Sequence, residues 1–317
     1  MPAHYIHRLF DIMEEFGDDP DVAYARVQRN DEPVQWHFLR HQDVDGMGLF
    51  LRAMGEQGIN IDVPRYAGTV PGRWQRVRYA WRKFRTRTLP PVQWRQWSPT
   101  ADGRVAKHSA LRRGRVLSAE QTLAILANAK RQQATLNSFL LWALNGAVAQ
   151  QLTAAVTPRA WGNTINLRGA VPADSAEENQ SSIITVVFDD QDSPAQLHKI
   201  IRDLFDAGHH WGSWDFLTTI CRFGPNLVRK QIRRYYSGNN SQMGTFSNMG
   251  QWNWDTAKAA PYLFFCPPCT RTAPVAAAAG TLNGCLSLTL ALHPFLRPDD
   301  AMLENLLQGW VDRLIQN

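Results

Sequence analysis

Arg40-His41-Gln42-Asp43-Val44-Asp45-Gly46 is the stretch on which the reading of this chain turns. It places a histidine, an aspartate and a glycine at His-x-x-x-Asp-Gly spacing directly after Val34-Gln35-Trp36-His37-Phe38-Leu39, a run rich in strand formers. Gly46 to Gly58 then reads as a short helix with Met47, Phe50, Leu51 and Met54 on one face. Strand, tight turn and helix start together present His41 at a sheet edge. There an imidazole can titrate near neutrality and accept a proton from an attacking hydroxyl or amine. Asp45 would hold the loop, and Gly46 would offer unhindered backbone. The same residues also fit a solvated turn closed by Asp43, Asp45 and Gly46, so the rest of the chain has to decide.

A chain of 317 residues exceeds what one core usually holds, which predicts two lobes. With 44% hydrophobic residues, 10% aromatics and twelve tryptophans, it has the composition of a folded globular protein. No apolar run reaches the roughly eighteen residues that a membrane span needs. The first twenty residues, with Asp11, Glu14 and Glu15, do not resemble a signal peptide, so a cytoplasmic address is expected. Cys221, Cys266, Cys269 and Cys285 are too few and too scattered for a disulfide framework. Cys266-Pro267-Pro268-Cys269 has the spacing of a redox pair or half a zinc site, but neither remaining cysteine supplies a second close pair. Reduced thiols and no metal are the expectation.

The net charge of +6 is concentrated between Arg73 and Arg115, where Asp102 is the only acid among thirteen Lys or Arg residues. Trp74, Tyr79, Trp81, Phe84, Trp94 and Trp97 are interleaved with them, a mixture that could grip a nucleic-acid backbone and stack on bases. However, Trp74, Val77, Trp81 and Phe84 stand at helical spacing, which predicts a buried aromatic face with the arginines on the other side. Nucleic acid is the weaker reading. The arginines suit equally the phosphates of coenzyme A or the acidic face of a carrier protein.

Strands and helices alternate along the chain. A helix over 6–16 is followed by strands at 22–28 and 34–40, joined by Asn30-Asp31-Glu32-Pro33 as an antiparallel pair. Pro90 and Pro91 stop the aromatic helix, and the natural break falls at about 98–115. That divides the chain into residues 1–105, which carry the histidine motif, and residues 106–317. Beyond it come a strand at 115–117, helices at 118–131 and 136–152, strands at 159–167 and 182–188, and a helix at 193–205. A long helical zone over 214–236, strands at 243–247, 262–266 and 284–292, and a helix over 298–314 complete the chain. His209-His210, flanked by Trp211 and Trp214, reads as helix-end packing, and His293 before Pro294 as a turn cap. No Gly-rich nucleotide loop, Gly-x-Ser-x-Gly elbow or His-Glu-x-x-His is present.

This order of elements resembles the chloramphenicol acetyltransferase-like acyltransferases, which include condensation domains, polyketide-associated acyltransferases and alcohol acetyltransferases. Their hallmark is His-His-x-x-x-Asp-Gly at a strand end. Here the second histidine and the aspartate match, and Arg40 stands where the first histidine would be. Gly162-Asn163-Thr164-Ile165-Asn166-Leu167-Arg168 is similar to the family's strand ending in arginine. Thr245-Phe246-Ser247-Asn248-Met249-Gly250 is similar to its Ser-Asn-x-Gly strand, and Thr281 to Leu290 followed by a capped helix closes the chain as those proteins do. The resemblance implies an α/β (α+β) fold: a two-lobed sandwich with mixed sheets and helices on the outer faces. His41 comes early, so the first lobe is expected to be shortened.

The resemblance also implies an activity. An acyl group would move from a thioester, acyl-CoA or a phosphopantetheinyl carrier protein, to a hydroxyl or amine on a small-molecule acceptor, with no tightly bound cofactor. His41 would be general base, and Asp45 would pair with Arg168 to hold the loop. The Gly46 amide with Ser247 or Asn248 would receive the oxyanion. The alternative is a catalytically inactive condensation-like domain that binds a carrier protein. A homo-oligomer is also expected to be possible, since a shortened lobe leaves a sheet edge to be covered.

Overall fold

The computed structural model describes residues 3–28, 34–84, 91–154, 158–237, 242–255 and 260–316. The turn expected at 30–33 and the stop expected at Pro90 lie outside the described residues. The first helix, α1 (Ala3–Glu15), leads into the antiparallel pair β1 (Val22–Val27) and β2 (His37–Leu39), with Val22 opposite Leu39 and Tyr24 opposite His37. A tight turn follows, closed by hydrogen bonds from the Asp43 and Val44 amides to the Arg40 carbonyl. Asp45 then caps α2 (Gly46–Gly55), its side chain accepting from the Gly48 amide.

Next come α3 (Arg73–Phe84), β3 (Leu111–Val116), α4 (Ala119–Arg131) and α5 (Leu136–Leu152). Ser118 and Gln121 form a capping box at the start of α4, as the sequence predicts. The helix α5 is apolar around most of its circumference and accordingly lies inside the molecule. The chain continues through β4 (Arg159–Asn166), β5 (Ser181–Phe188), α6 (Pro194–Asp206), α7 (His209–Arg222) and α8 (Pro225–Ser237). It ends with β6 (Gly244–Trp252), β7 (Tyr262–Cys266), β8 (Val275–Leu282), β9 (Cys285–Leu292) and α9 (Asp300–Ile315).

The strands form two sheets, one in the order β2-β1-β7 and one in the order β3-β9-β8-β6-β4-β5. The larger sheet is mixed, because β6 runs parallel to both β4 and β8 while the other pairs are antiparallel. One face carries the main core, in which Trp161, Ile184, Val186, Phe246, Ala277 and Leu288 meet Leu140, Leu144, Leu307 and Trp310 from α5 and α9. The opposite face contributes Ala278 and Met249 to a second core with Phe50 and Met54 of α2 and Leu263 and Phe265 of β7. The smaller sheet takes its third strand from residues 262–266, and β7 pairs with β1 along five positions. A strand from late in the chain thus completes the sheet that the first two strands begin.

Three sequence expectations change. The helical zone over 214–236 is two helices starting at His209, broken where Gly224 takes φ +104° and Pro225 opens α8. The run Val275 to Leu282, not anticipated as a strand, is β8 in the middle of the large sheet and buried at every position. The aromatic face expected to be buried on α3 points outward instead: Trp74 is 84%, Val77 55% and Trp81 58% exposed. The side that contacts the molecule holds Arg76, ion-paired with Asp215, and Tyr79, which lies over Gly208, just before α7, and Gly212 within it. A Cβ at Gly212 would stand 2.6 Å from the Tyr79 carbonyl oxygen, so the two helices approach to backbone contact. Periodicity identified the helix correctly but could not say which side its neighbour would take.

Candidate active site

The turn after β2 delivers His41 to the wall of a cavity of about 440 Å³ that runs between the large sheet and helices α1, α7 and α8. Its Nδ1 lies 2.8 Å from the Val44 carbonyl oxygen. A carbonyl only accepts, so Nδ1 carries the proton and Nε2 keeps its lone pair. The ring rests against Phe10 of α1, with centroids 4.7 Å apart, and the His41 carbonyl accepts from the Asn179 side chain at 3.1 Å. Burial holds the imidazole pKa below its ordinary value; the hydrogen bond to Val44 and the Asp45 and Asp21 carboxylates act the other way and are outweighed.

Asp45 is 1% exposed and fully engaged. One oxygen accepts from the Gly48 amide at 2.9 Å and from Arg168 Nη2; the other accepts from Arg168 Nη1 and from the Gln180 amide, each at 2.9 Å. Arg168, two residues past the end of β4, is buried as well and also donates to the carbonyls of Ala176 and Glu178. This forked pair ties the start of α2 to the segment that connects β4 to β5. A second tie between Arg52 and Glu177, at 2.8 Å, lies nearby. Gly48 is indispensable to that approach, since a Cβ there would fall 1.8 Å from the Glu177 carbonyl oxygen.

Gly46, the first residue of α2, faces β6, where its Cβ position would lie 3.3 Å from the Met249 sulfur and 3.8 Å from Ser247 Oγ. Thr164 of β4 donates its hydroxyl to Ser247 Oγ at 3.0 Å. Asn248 also lines the cavity, but its side-chain oxygen accepts from the Gly250 amide, which serves the irregularity in the β6–β8 register between Asn248 and Gln251. His41, Asp45, Gly46, Arg168, Ser247 and Asn248 thus border one space. Arg40 turns away from it and pairs at the surface with Asp11 at 3.2 Å. Phe10, Thr164, Asn179 and Gly48 belong to the same constellation and were not singled out from the sequence. A second glycine two places after Gly46 was the one local signal; the others arrive from distant elements.

The remaining sequence candidates have structural tasks. Cys266 and Cys269 are buried, donate to the carbonyls of Pro267 and Pro274, and are pushed up by desolvation, Cys266 to about 11. Neither is a reactive thiolate. His210 is buried beside Phe205, with Nε2 2.9 Å from the Tyr66 hydroxyl. His293 caps the turn over Pro294–Leu296 by accepting from the Phe295 amide.

No protein-family profile and no curated protein sequence matches the chain. Among solved structures it is similar to the epimerization domain from the third module of tyrocidine synthetase B, at 17% identity and TM-score 0.54, over 89% of this chain and 68% of that one. It is also similar to the condensation domain of monacolin K polyketide synthase, at 12% identity and TM-score 0.51, over 85% of this chain and 65% of that one. A third similar structure is the trichothecene 15-O-acetyltransferase from Fusarium sporotrichioides, at 11% identity and TM-score 0.51, over 93% of this chain and 70% of that one. The chain has the chloramphenicol acetyltransferase-like fold of condensation domains and acyltransferases. It spans about two thirds of the length of these structures.

Proposed function

We propose that the protein is an acyltransferase that moves an acyl group from a thioester to a hydroxyl or amine. The observation that carries this reading is the orientation of His41: Nδ1 is occupied by the Val44 carbonyl, so the free lone pair belongs to Nε2 at the wall of the cavity. A depressed pKa keeps that nitrogen unprotonated and ready at neutral pH. An acceptor hydroxyl or amine loses its proton to Nε2 as its oxygen or nitrogen bonds to the thioester carbonyl carbon. The carbon–sulfur bond then breaks, and the departing thiolate takes the same proton from the imidazolium. No bond to the enzyme forms in this scheme.

Between the two steps the carbonyl oxygen bears negative charge. Ser247 is the preferred donor, because its oxygen already accepts from Thr164 and its own proton meets the weakly accepting Met249 sulfur, at 3.9 Å, which a charged oxygen would displace. The Gly46 amide stands at the positive end of α2, and Gly46 itself lies against the same residue. Asn248 lines the same cavity, and with its oxygen accepting from Gly250 its Nδ2 amide is a further candidate donor. Asp45 and Arg168 act through His41 by fixing the turn that presents it. The donor is acyl-CoA or a carrier-protein thioester; either places a free thiol among the products.

Release of thiol from a panel of acyl thioesters, with small alcohols and amines as acceptors, tests the proposal directly. His41→Ala should lower the rate by about 10²–10⁴-fold, the usual worth of a positioned base. Equal rates for the wild type and this variant would remove the general-base role. A wild-type protein that retains a carrier-protein thioester yet releases no thiol would favour the inactive, carrier-binding reading, which the shorter span of the chain relative to its structural neighbours makes worth testing.

A further inference from the structure

The cavity has two unlike ends. Around His41 the strands β4, β5 and β6 present Thr164, Ser181, Thr245 and Ser247. Away from the strands, α1, α7 and α8 line it mostly with apolar side chains, Leu9 and Met13, Leu217 and Ile220, and Val228 and Ile232, beside the uncharged polar groups Ser213 and Gln231. The ionisable groups that border this helical end are neutral at physiological pH: burial pushes the Cys221 thiol up to about 11 and raises the Tyr235 hydroxyl, and burial together with Asp18 raises the Tyr236 hydroxyl strongly. Asp45 and Arg168, the charged pair that borders the cavity, are spent on each other. Phe10 marks the junction, because it touches the His41 ring and also faces the space between the helices.

We propose that the branch between α1, α7 and α8 holds the hydrocarbon tail of the transferred acyl group, so that the donor is a thioester of a medium or long alkyl chain. The inference rests on the acyltransferase reading above for the word acyl and on the cavity for the word hydrocarbon. In the complex of donor and acceptor, the alkyl tail begins one bond from the reacting carbonyl, and the apolar wall begins at the ring beside the base. The amide groups of a pantetheine arm, or the polar atoms of an acceptor, would find few partners in a branch whose lining is mostly apolar, and each one left unpaired weakens binding. A methylene entering it leaves water at a gain of about 0.8 kcal/mol, or about fourfold in affinity. The tail is the component that the branch favours.

Chain length is the measurement that reads this. Saturated acyl-CoA thioesters from two to sixteen carbons, used below their aggregation concentrations, should show kcat/KM for thiol release rising about three- to fourfold per methylene until the branch is filled. Leu217→Trp, which places a ring in the branch, should move the optimum to shorter chains by several carbons; Val228→Phe serves the same purpose should the first variant fail to fold. Binding of the same series to His41→Ala, followed by calorimetry, gives a readout that needs no turnover. Affinity that climbs with chain length in this protein, and is cut back in the double variant with Leu217→Trp, supports the branch even if no thioester is turned over, in which case the acyltransferase reading alone fails. Affinity independent of chain length, or a length profile unmoved by both blocking variants, overturns the inference. So does a profile that follows the alkyl length of an alcohol acceptor and ignores that of the thioester.

Discussion

The His41 imidazole is set by three contacts from three parts of the chain: Val44 fixes its tautomer, Phe10 bounds its face, and Asn179 holds its backbone. Because burial depresses its pKa, the acid limb of kcat/KM should lie below the ordinary imidazole value near 6.5, with a plateau above it; a limb at 7 or higher would contradict the environment described. His210 supplies a stability counterpart. Burial, reinforced by the adjacent His209, pushes it down to about 4 from 6.5. Its neutral form is favoured in the folded protein, so its contribution is complete above pH 6.5 and is lost as the pH falls from there through 4, by about 3 kcal/mol in all. Denaturant titrations at pH 7 and pH 4.5 should show this loss, and His210→Gln should flatten it. Removal of one partner of the buried Asp45–Arg168 pair leaves an uncompensated charge. Asp45→Ala or Arg168→Ala should each cost about 3–5 kcal/mol in unfolding free energy, whereas the exposed Arg40–Asp11 pair should cost less than about 1 kcal/mol. The motif was readable at this scale because strand, turn and cap are local; Asn179 and Phe10 were not, since nothing near them in sequence points to position 41.

Two of the glycines at which elements meet closely give contacts that are readily tested. Gly48→Ala sets a methyl group against the backbone of Glu177, so the start of α2 must lift away from the β4–β5 connection that clamps Asp45. A loss of about 1–3 kcal/mol, with a fall in kcat out of proportion to it, is expected. Gly212→Ala should separate α3 from α7 at a similar cost in melting temperature, with little change in the turn that holds His41. The sequence reading succeeded for elements with strong ends, such as the capping boxes at Ser118 and Ser193. It missed β8, whose alanines have high intrinsic helix preference. Tertiary position overrides that preference: Ala277 and Ala279 meet the main core, while Ala278 faces the second, so small side chains let a central strand be covered on both faces. It also gave α3 the wrong buried side, because an apolar stripe and a pair of glycines on a distant helix compete for the same contact, and only the stripe is visible in one segment.

In the whole molecule, α7 carries the cavity on one flank and α3 on the other. Its tryptophans, together with those of α3, therefore form two optical classes: Trp211 and Trp214 are shielded, while Trp74 and Trp81 stand in water. Iodide should extinguish the emission of the second class and spare the first, giving a downward-curved Stern–Volmer plot. Trp214 also borders the cavity, so a bound chain should shift the blue, quencher-resistant component and leave the accessible one unchanged. The molecule thereby contains its own reporter of cavity filling, with a built-in reference, and occupancy can be followed by light before any substrate has been identified.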